Sequence, residues 1–281
     1  MNTETHFIDA DGIERPINPH AHMFEMPIKK VKPITKKRQV LNDNPVLFLL
    51  ARIFQTIIFS ILWIFFKIKY RLKIENKKAY KFLKGKGAVV ICNHCHMLDV
   101  VAVRLVTMGR TNYMCSIAEN FAIPFLGGLI KMLGAIPIPN TMEGMRYYKE
   151  VIDEQLQKCR MVSLMPEASM WPFYRALRPF KNGAFRFAVQ NKVPVLPSCI
   201  SMVYKHNKKG KIKRVRLTYT FFKPIYPDCN LSEREAVEVM MNKAQTVMKE
   251  RIEQQINIKT MQKESENEKS PSGLERINRN T

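Results

Sequence analysis

One run dominates the pattern of apolar and polar positions. From Pro45 to Phe66 the chain reads PVLFLLARIFQTIIFSILWIFF, 22 residues interrupted only by Arg52, Gln55, Thr56 and Ser60. At helical rise that run is long enough to cross a hydrocarbon core. Arg52, however, is costly inside a lone spanning helix unless it reaches the interface. The residues before it, 1–44, are polar, proline-containing and unpatterned, which predicts a mostly irregular leader. From about residue 87 short apolar runs alternate with helical spacing. AVVIC (88–92), NYMCSIA (112–118), AIPIP (135–139), MVSLM (161–165), VPVLPSCISMV and RVRLTYTFF read as strands. FAIPFLGGLIKMLG, EGMRYYKEVIDEQLQKC and GAFRFAVQNK read as helices between them. Ser232 and Glu235 form a capping box opening a helix with Val237, Met241, Ala244, Met248 and Ile252 on one face.

Strands alternating with helices predict an α/β fold: a mostly parallel central sheet flanked by helices, with an N-terminal membrane-associated helix. The expected organisation is an irregular leader (1–44), the membrane-associated helix (45–72), a catalytic domain (73–258) and a disordered polar tail (259–281).

Charge changes the picture. Lys and Arg number 46 against 24 acids, a net +22, which predicts attraction to a polyanion. Lys29, Lys30, Lys32, Lys36, Lys37 and Arg38 precede the apolar run, and Lys67, Lys69, Arg71 and Lys73 follow it. Between Glu25 and Glu75 the one acid is Asp43. Basic charge gathered around an apolar helix favours an anionic lipid surface over nucleic acid, for which no zinc-finger or RNA-recognition signature is present. Basic flanks on both sides give no orientation by the positive-inside rule and fit a helix lying in one leaflet. The polar N-terminus and six scattered cysteines read as a protein on the cytoplasmic face of a membrane, with reduced thiols. Trp63 reads as an interfacial anchor and Trp171 as a loop or pocket aromatic. The His20–His22 pair reads as solvated, and His206 as part of a basic hairpin turn.

The candidate chemistry lies in VVICNHCHMLDV (89–100). Cys92, Cys95 and His96 have the haem-attachment spacing. His94 and Asp99, five positions apart, suit a base and the carboxylate that orients it. A histidine after a buried strand falls at the sheet's carboxyl edge, where α/β folds place their chemistry. No second cysteine pair supplies further ligands for a metal, and no metal is expected.

His94-x4-Asp99 preceded by Asn93 resembles the first motif of the glycerolipid acyltransferase family, which includes 1-acylglycerol-3-phosphate acyltransferases. The resemblance continues in order over about residues 85–225. Ile123–Gly127 and Leu133–Ile136 resemble the approach to its second motif. Met165-Pro166-Glu167 resembles its phenylalanine-proline-glutamate-glycine motif, Pro179–Phe185 the segment after it, and Val193–Pro197 its proline-ended last strand.

That resemblance implies an acyltransferase needing no cofactor. Its co-substrate would be acyl-CoA or acyl-acyl-carrier protein, and its acceptor a lysophospholipid. His94 and Asp99 would be catalytic, with Glu167, Ser169, Arg175, Arg178, Lys181 and Asn140 on the acceptor side. The sequence departs from the family where arginines are expected: Asn140 ends the second motif, and Ala168-Ser169-Met170 follow Glu167. Those arginines would hold an acceptor phosphate. Arg146, Arg175, Arg178 or Lys181 would have to replace them, or the head group is not a phosphate monoester. A membrane-binding relative without activity is the remaining alternative.

Overall fold

The structure is a computed structural model that describes residues 6–9, 12–21, 23, 31–42, 44–83, 85–96, 99–206 and 212–268. Strands β1 (His6–Ile8) and β2 (Glu14–Pro16) pair antiparallel, and a short helix α1 (Lys37–Val40) follows. The long helix α2 spans Pro45–Lys69. It starts there because Asn44 caps it, its side-chain oxygen accepting from the N–H groups of Val46 (2.9 Å) and Leu47 (3.1 Å), with Pro45 in the first turn.

The remaining elements are β3 (Lys73–Glu75), α3 (Lys77–Lys81), β4 (Ala88–Ile91), α4 (Asp99–Val106), β5 (Asn112–Ile117), α5 (Leu126–Met132), β6 (Ala135–Ile138), α6 (Met142–Gln157), β7 (Met161–Leu164), α7 (Gly183–Gln190), β8 (Val195–His206), β9 (Ile212–Phe221) and α8 (Glu233–Glu268). Among the described residues, seven strands form one sheet in the order β3-β9-β8-β4-β7-β5-β6. All its pairs are parallel except β8–β9. The α/β expectation with a mostly parallel sheet therefore holds.

β4 lies at the centre, and all four of its residues are buried. Val89 and Ile91 face a core with Tyr148 and Ile152 of α6, Phe185 of α7, and Met240 and Met248 of α8. Ala88 and Val90 face the other core, with Phe59 and Phe66 of α2, Ala79 of α3, and Val103 and Leu105 of α4. A strand covered on both faces must be apolar throughout, which is why this stretch shows no alternation.

Helix α2 docks through polar groups that the sequence placed inside an apolar run. Gln55 is buried; its amide donates to the Met132 carbonyl (2.8 Å) and its oxygen accepts from Arg104 of α4 (3.0 Å). Burial lowers Arg104 to about 10, and its guanidinium lies 5.0 Å from the Phe59 ring centre. At its far end, the Tyr70 carbonyl accepts from Leu217 of β9 (3.0 Å). The opposite face carries Val46, Leu50, Ile53, Ile57, Ile61, Ile64 and Ile68 in one exposed stripe, spaced three or four apart as a helix face requires.

Two differences from expectation have simple causes. The leader, irregular over most of its described residues as expected, also holds the β1–β2 hairpin and α1, which pack on the domain. The expected proline- and glycine-bounded helix in 121–134 is α5, which begins only after Pro124, a residue that cannot donate a backbone hydrogen bond, and after Phe125, which takes φ +61°. Helix α8 opens on the Ser232–Glu235 box as expected. It runs to Glu268, into the stretch expected to be disordered, because 259–268 holds helix formers without proline or glycine. The side chain of His206 and the turn after it lie outside the described residues, as does His22.

Candidate active site

The site starts where β4 stops. Asn93 continues the ladder with its side chain: its oxygen accepts from the Ile200 N–H (2.8 Å) and its amide donates to the Ile200 carbonyl (3.0 Å). The loop beyond β4 is thereby fixed on β8. Asp99 is the first residue of α4, and one of its oxygens collects the loop: it accepts from the N–H groups of Cys95 (2.6 Å) and His96 (2.7 Å) and lies 3.3 Å from His94 Nδ1. The five-residue spacing is thus the length of a turn that folds back on a helix-initial carboxylate. An ionised carboxylate only accepts, so Nδ1 carries the proton and Nε2 is free to take one. The His94 side chain is 20% exposed and Asp99 1%. The imidazole is reachable from solvent and the carboxylate is not.

Glu167, beyond the end of β7, ties this loop to the next. Its carboxylate accepts from the His94 N–H (2.8 Å), the Arg178 N–H (2.9 Å) and Arg178 Nη2 (2.9 Å). Both side chains of that ion pair are 2% exposed. Arg178 Nη1 also donates to Ser169 Oγ (2.6 Å), Nη2 to the Ser169 carbonyl, and the guanidinium lies 4.6 Å from the Trp171 ring centre. The 167–178 segment then pairs with the His94 loop through Trp171 N–H to the His94 carbonyl (3.1 Å) and Phe173 N–H to the Cys95 carbonyl (2.7 Å).

Aromatic rings join the loop to α2. Tyr70, one residue past that helix, meets the His96 ring at 5.5 Å, and His96 meets Phe173 at 5.8 Å. Burial lowers the His96 pKa, opposed by the Asp99 charge. Cys92 and Cys95 are fully buried, and burial pushes both thiols well up, so they stay protonated and pack as small apolar groups.

The expected site residues therefore separate into two groups. His94, Asp99, Glu167, Ser169 and Arg178 form one hydrogen-bonded cluster. Glu167 and Arg178, expected to meet the acceptor, instead bind each other and the backbone, because a buried charge needs a partner. Arg175 is half-buried on the same segment, and Lys181 is exposed beyond it, its N–H bonded to the Pro166 carbonyl (2.8 Å). Asn140 is exposed past β6, three strands from β4 and so about 14 Å away. Arg15, His20 and the linking role of Trp171 carry no sequence signal that would have placed them here. A groove of about 1150 Å³ lined by Lys77, Phe82, Phe221, Lys223 and Lys243 lies at the other end of the sheet and contains none of these residues.

Residues 71–201, which hold the whole cluster outside the leader, match the family model described as Acyltransferase. That segment is similar to the acyltransferase family. Among similar proteins, human 1-acyl-sn-glycerol-3-phosphate acyltransferase beta is 29% identical over 152 residues, 51% of this chain and 53% of that one. The Escherichia coli 1-acyl-sn-glycerol-3-phosphate acyltransferase is 24% identical over 191 residues, 65% of this chain and 74% of that one. The chain thus spans about half the length of the human relative. The crystal structure of the 1-acyl-sn-glycerophosphate acyltransferase of Thermotoga maritima has the same fold, with a TM-score of 0.51 at 21% identity, covering 74% of this chain and 79% of that one.

Proposed function

We propose that this chain is a membrane-associated O-acyltransferase. It moves a fatty acyl group from an acyl thioester, acyl-CoA or acyl-acyl-carrier protein, to the free hydroxyl of a lysophospholipid such as 1-acylglycerol-3-phosphate. The observation that carries this reading is the His94–Asp99 pair, reachable at the carboxyl edge of β4 and backed by a buried carboxylate. His94 Nε2 takes the proton of the acceptor hydroxyl as its oxygen attacks the thioester carbonyl carbon. The tetrahedral adduct then expels the thiolate, which recovers the proton from the imidazolium. The oxygen–carbon bond formed replaces the carbon–sulfur bond broken, and no acyl-enzyme is required. Arg175 on the 167–178 segment and the exposed Lys181 and Asn140 remain assigned to the acceptor; Ser169, like Glu167 and Arg178, is buried and bonded within the cluster. Because Arg178 already neutralises Glu167, a second reading is favoured at this point: an acceptor whose head group is not a phosphate monoester.

Membrane association is carried by the exposed stripe of α2, with Phe125 (97% exposed), Leu126, Leu129 and Met132 of the neighbouring α5 region. Contiguous apolar surface of this kind marks a lipid contact, and the docked polar face of α2 favours lying in one leaflet over crossing it. Six free cysteines support the cytoplasmic face. The double substitution Ile57→Glu with Ile61→Glu is expected to weaken vesicle binding roughly 100-fold, the value of two exposed side chains no longer buried in lipid. Sedimentation with anionic vesicles measures it. Unchanged binding would place the lipid contact elsewhere.

The test of the reaction is acyl transfer by the detergent-solubilised protein. Both donor types are offered against lysolipids with and without phosphate monoester head groups. Transfer to lysophosphatidate supports the first reading, and transfer only to other head groups supports the second. Folded, lipid-binding protein that transfers to nothing would make this a non-catalytic relative.

A further inference from the structure

The leader lies outside the family match at 71–201, yet it closes over the catalytic machinery. Arg15 of β2 is fully buried. Its Nε donates to Asp9 Oδ2 (2.8 Å), its Nη2 to the Pro172 carbonyl (2.9 Å), and Nη1 lies 2.8 Å from the Met23 sulfur. The same guanidinium sits 5.4 Å from the Tyr174 ring centre. Next to it, the Pro19 carbonyl accepts from Arg178 Nη1 (2.7 Å) and the Ala21 carbonyl from Trp171 Nε1 (2.9 Å). His20 Nδ1 donates to the Glu167 carbonyl (3.2 Å), and Phe7 of β1 packs on Trp171 at 6.3 Å.

These contacts make two layers. The leader holds Glu167, Trp171, Pro172 and Arg178, and the segment they belong to holds the carbonyls of His94 and Cys95. Two strands of three residues are not stable alone in water, so the hairpin persists because it is docked. A buried guanidinium is tolerated only with its charge matched and its donors satisfied, and here Asp9 and Pro172 do both. The leader's contacts at Glu167 and Trp171 also flank Met170, where the family resemblance expects the phosphate-binding arginine.

We infer that the β1–β2 hairpin and residues 19–21 form a wall of the acceptor site, with Arg15 as the positioning residue that clamps the 167–178 segment in register with His94. The kinetic part of this inference rests on the proposed acyl transfer; the structural part does not.

Steady-state kinetics of Arg15→Met and Arg15→Lys, with donor and acceptor varied separately, would be paired with hydrogen exchange of peptides covering Trp171–Phe173. A shift of a positioned group by a fraction of an ångström is expected to raise the acceptor KM of Arg15→Met about tenfold, leaving the donor KM unchanged. Lysine keeps the charge facing Asp9 and recovers part of the loss. The amides of Trp171 and Phe173 exchange faster in Arg15→Met, while α6 is unaffected. Unchanged acceptor KM and unchanged exchange overturn the inference, as does an equal loss toward both substrates accompanied by general destabilisation. Should wild type transfer no acyl group, the functional reading fails and the exchange result alone decides this one. Asp9→Asn, which removes the ion pair but keeps the bond to Pro172, replaces Arg15→Met if that variant does not fold.

Discussion

His94→Ala is expected to lower the rate of the proposed acyl transfer by a factor of about 1000, within the range a positioned general base supplies, and to leave the melting temperature nearly unchanged. The reason for the second half is geometric. The loop is held by backbone contacts that the substitution does not touch: the His94 N–H to Glu167, the His94 carbonyl to Trp171, and the Cys95 and His96 N–H groups to Asp99. Only the imidazole is lost, and it is the one partly exposed group of the pair. Asp99→Asn should behave differently. It replaces the acceptor of the Cys95 and His96 N–H groups as well as the partner of Nδ1, so it should lose both activity and stability. Transfer at wild-type rate by folded His94→Ala would sink the general-base assignment.

Glu167→Ala is the largest expected loss of stability, about 3–5 kcal/mol, because it leaves the Arg178 guanidinium buried and uncompensated. Urea unfolding measures it. The double variant Glu167→Ala with Arg178→Met should recover much of that loss, since the stranded charge is removed with its partner. A Glu167→Ala protein as stable as wild type would mean that the carboxylate is free to face the acceptor, as the family resemblance first implied. The two outcomes separate a tie between loops from a substrate contact.

Periodicity made most of the sheet and its longer helices legible, because those strands were short apolar runs and those helices had an apolar face, whereas the three-residue β3 and the short α1 and α3 left no such signal. The His94–Asp99 pair was legible too, since its spacing is local and set by one turn. What sequence left hidden depends on distant parts of the chain meeting. Gln55 is only an interruption in the apolar run by sequence, because its partners, Arg104 and the Met132 carbonyl, come from distant positions. Glu167 and Arg178 read as acceptor ligands because their mutual burial is a tertiary fact. Arg15 and Pro172 lie 157 positions apart, and nothing in a polar, unpatterned leader announces that it will be folded.

The ring contact between Tyr70 and His96 has a consequence for how such an enzyme meets its substrate. The His94 loop lies within one aromatic contact of the end of α2. If that helix lies in the leaflet, His94 is held at a fixed depth beside the lipid rather than being presented to bulk water. Acceptor would then be sampled by lateral diffusion in two dimensions. The rate would follow the mole fraction of lysolipid in the surface, and diluting the surface with inert lipid would slow turnover even at constant total substrate.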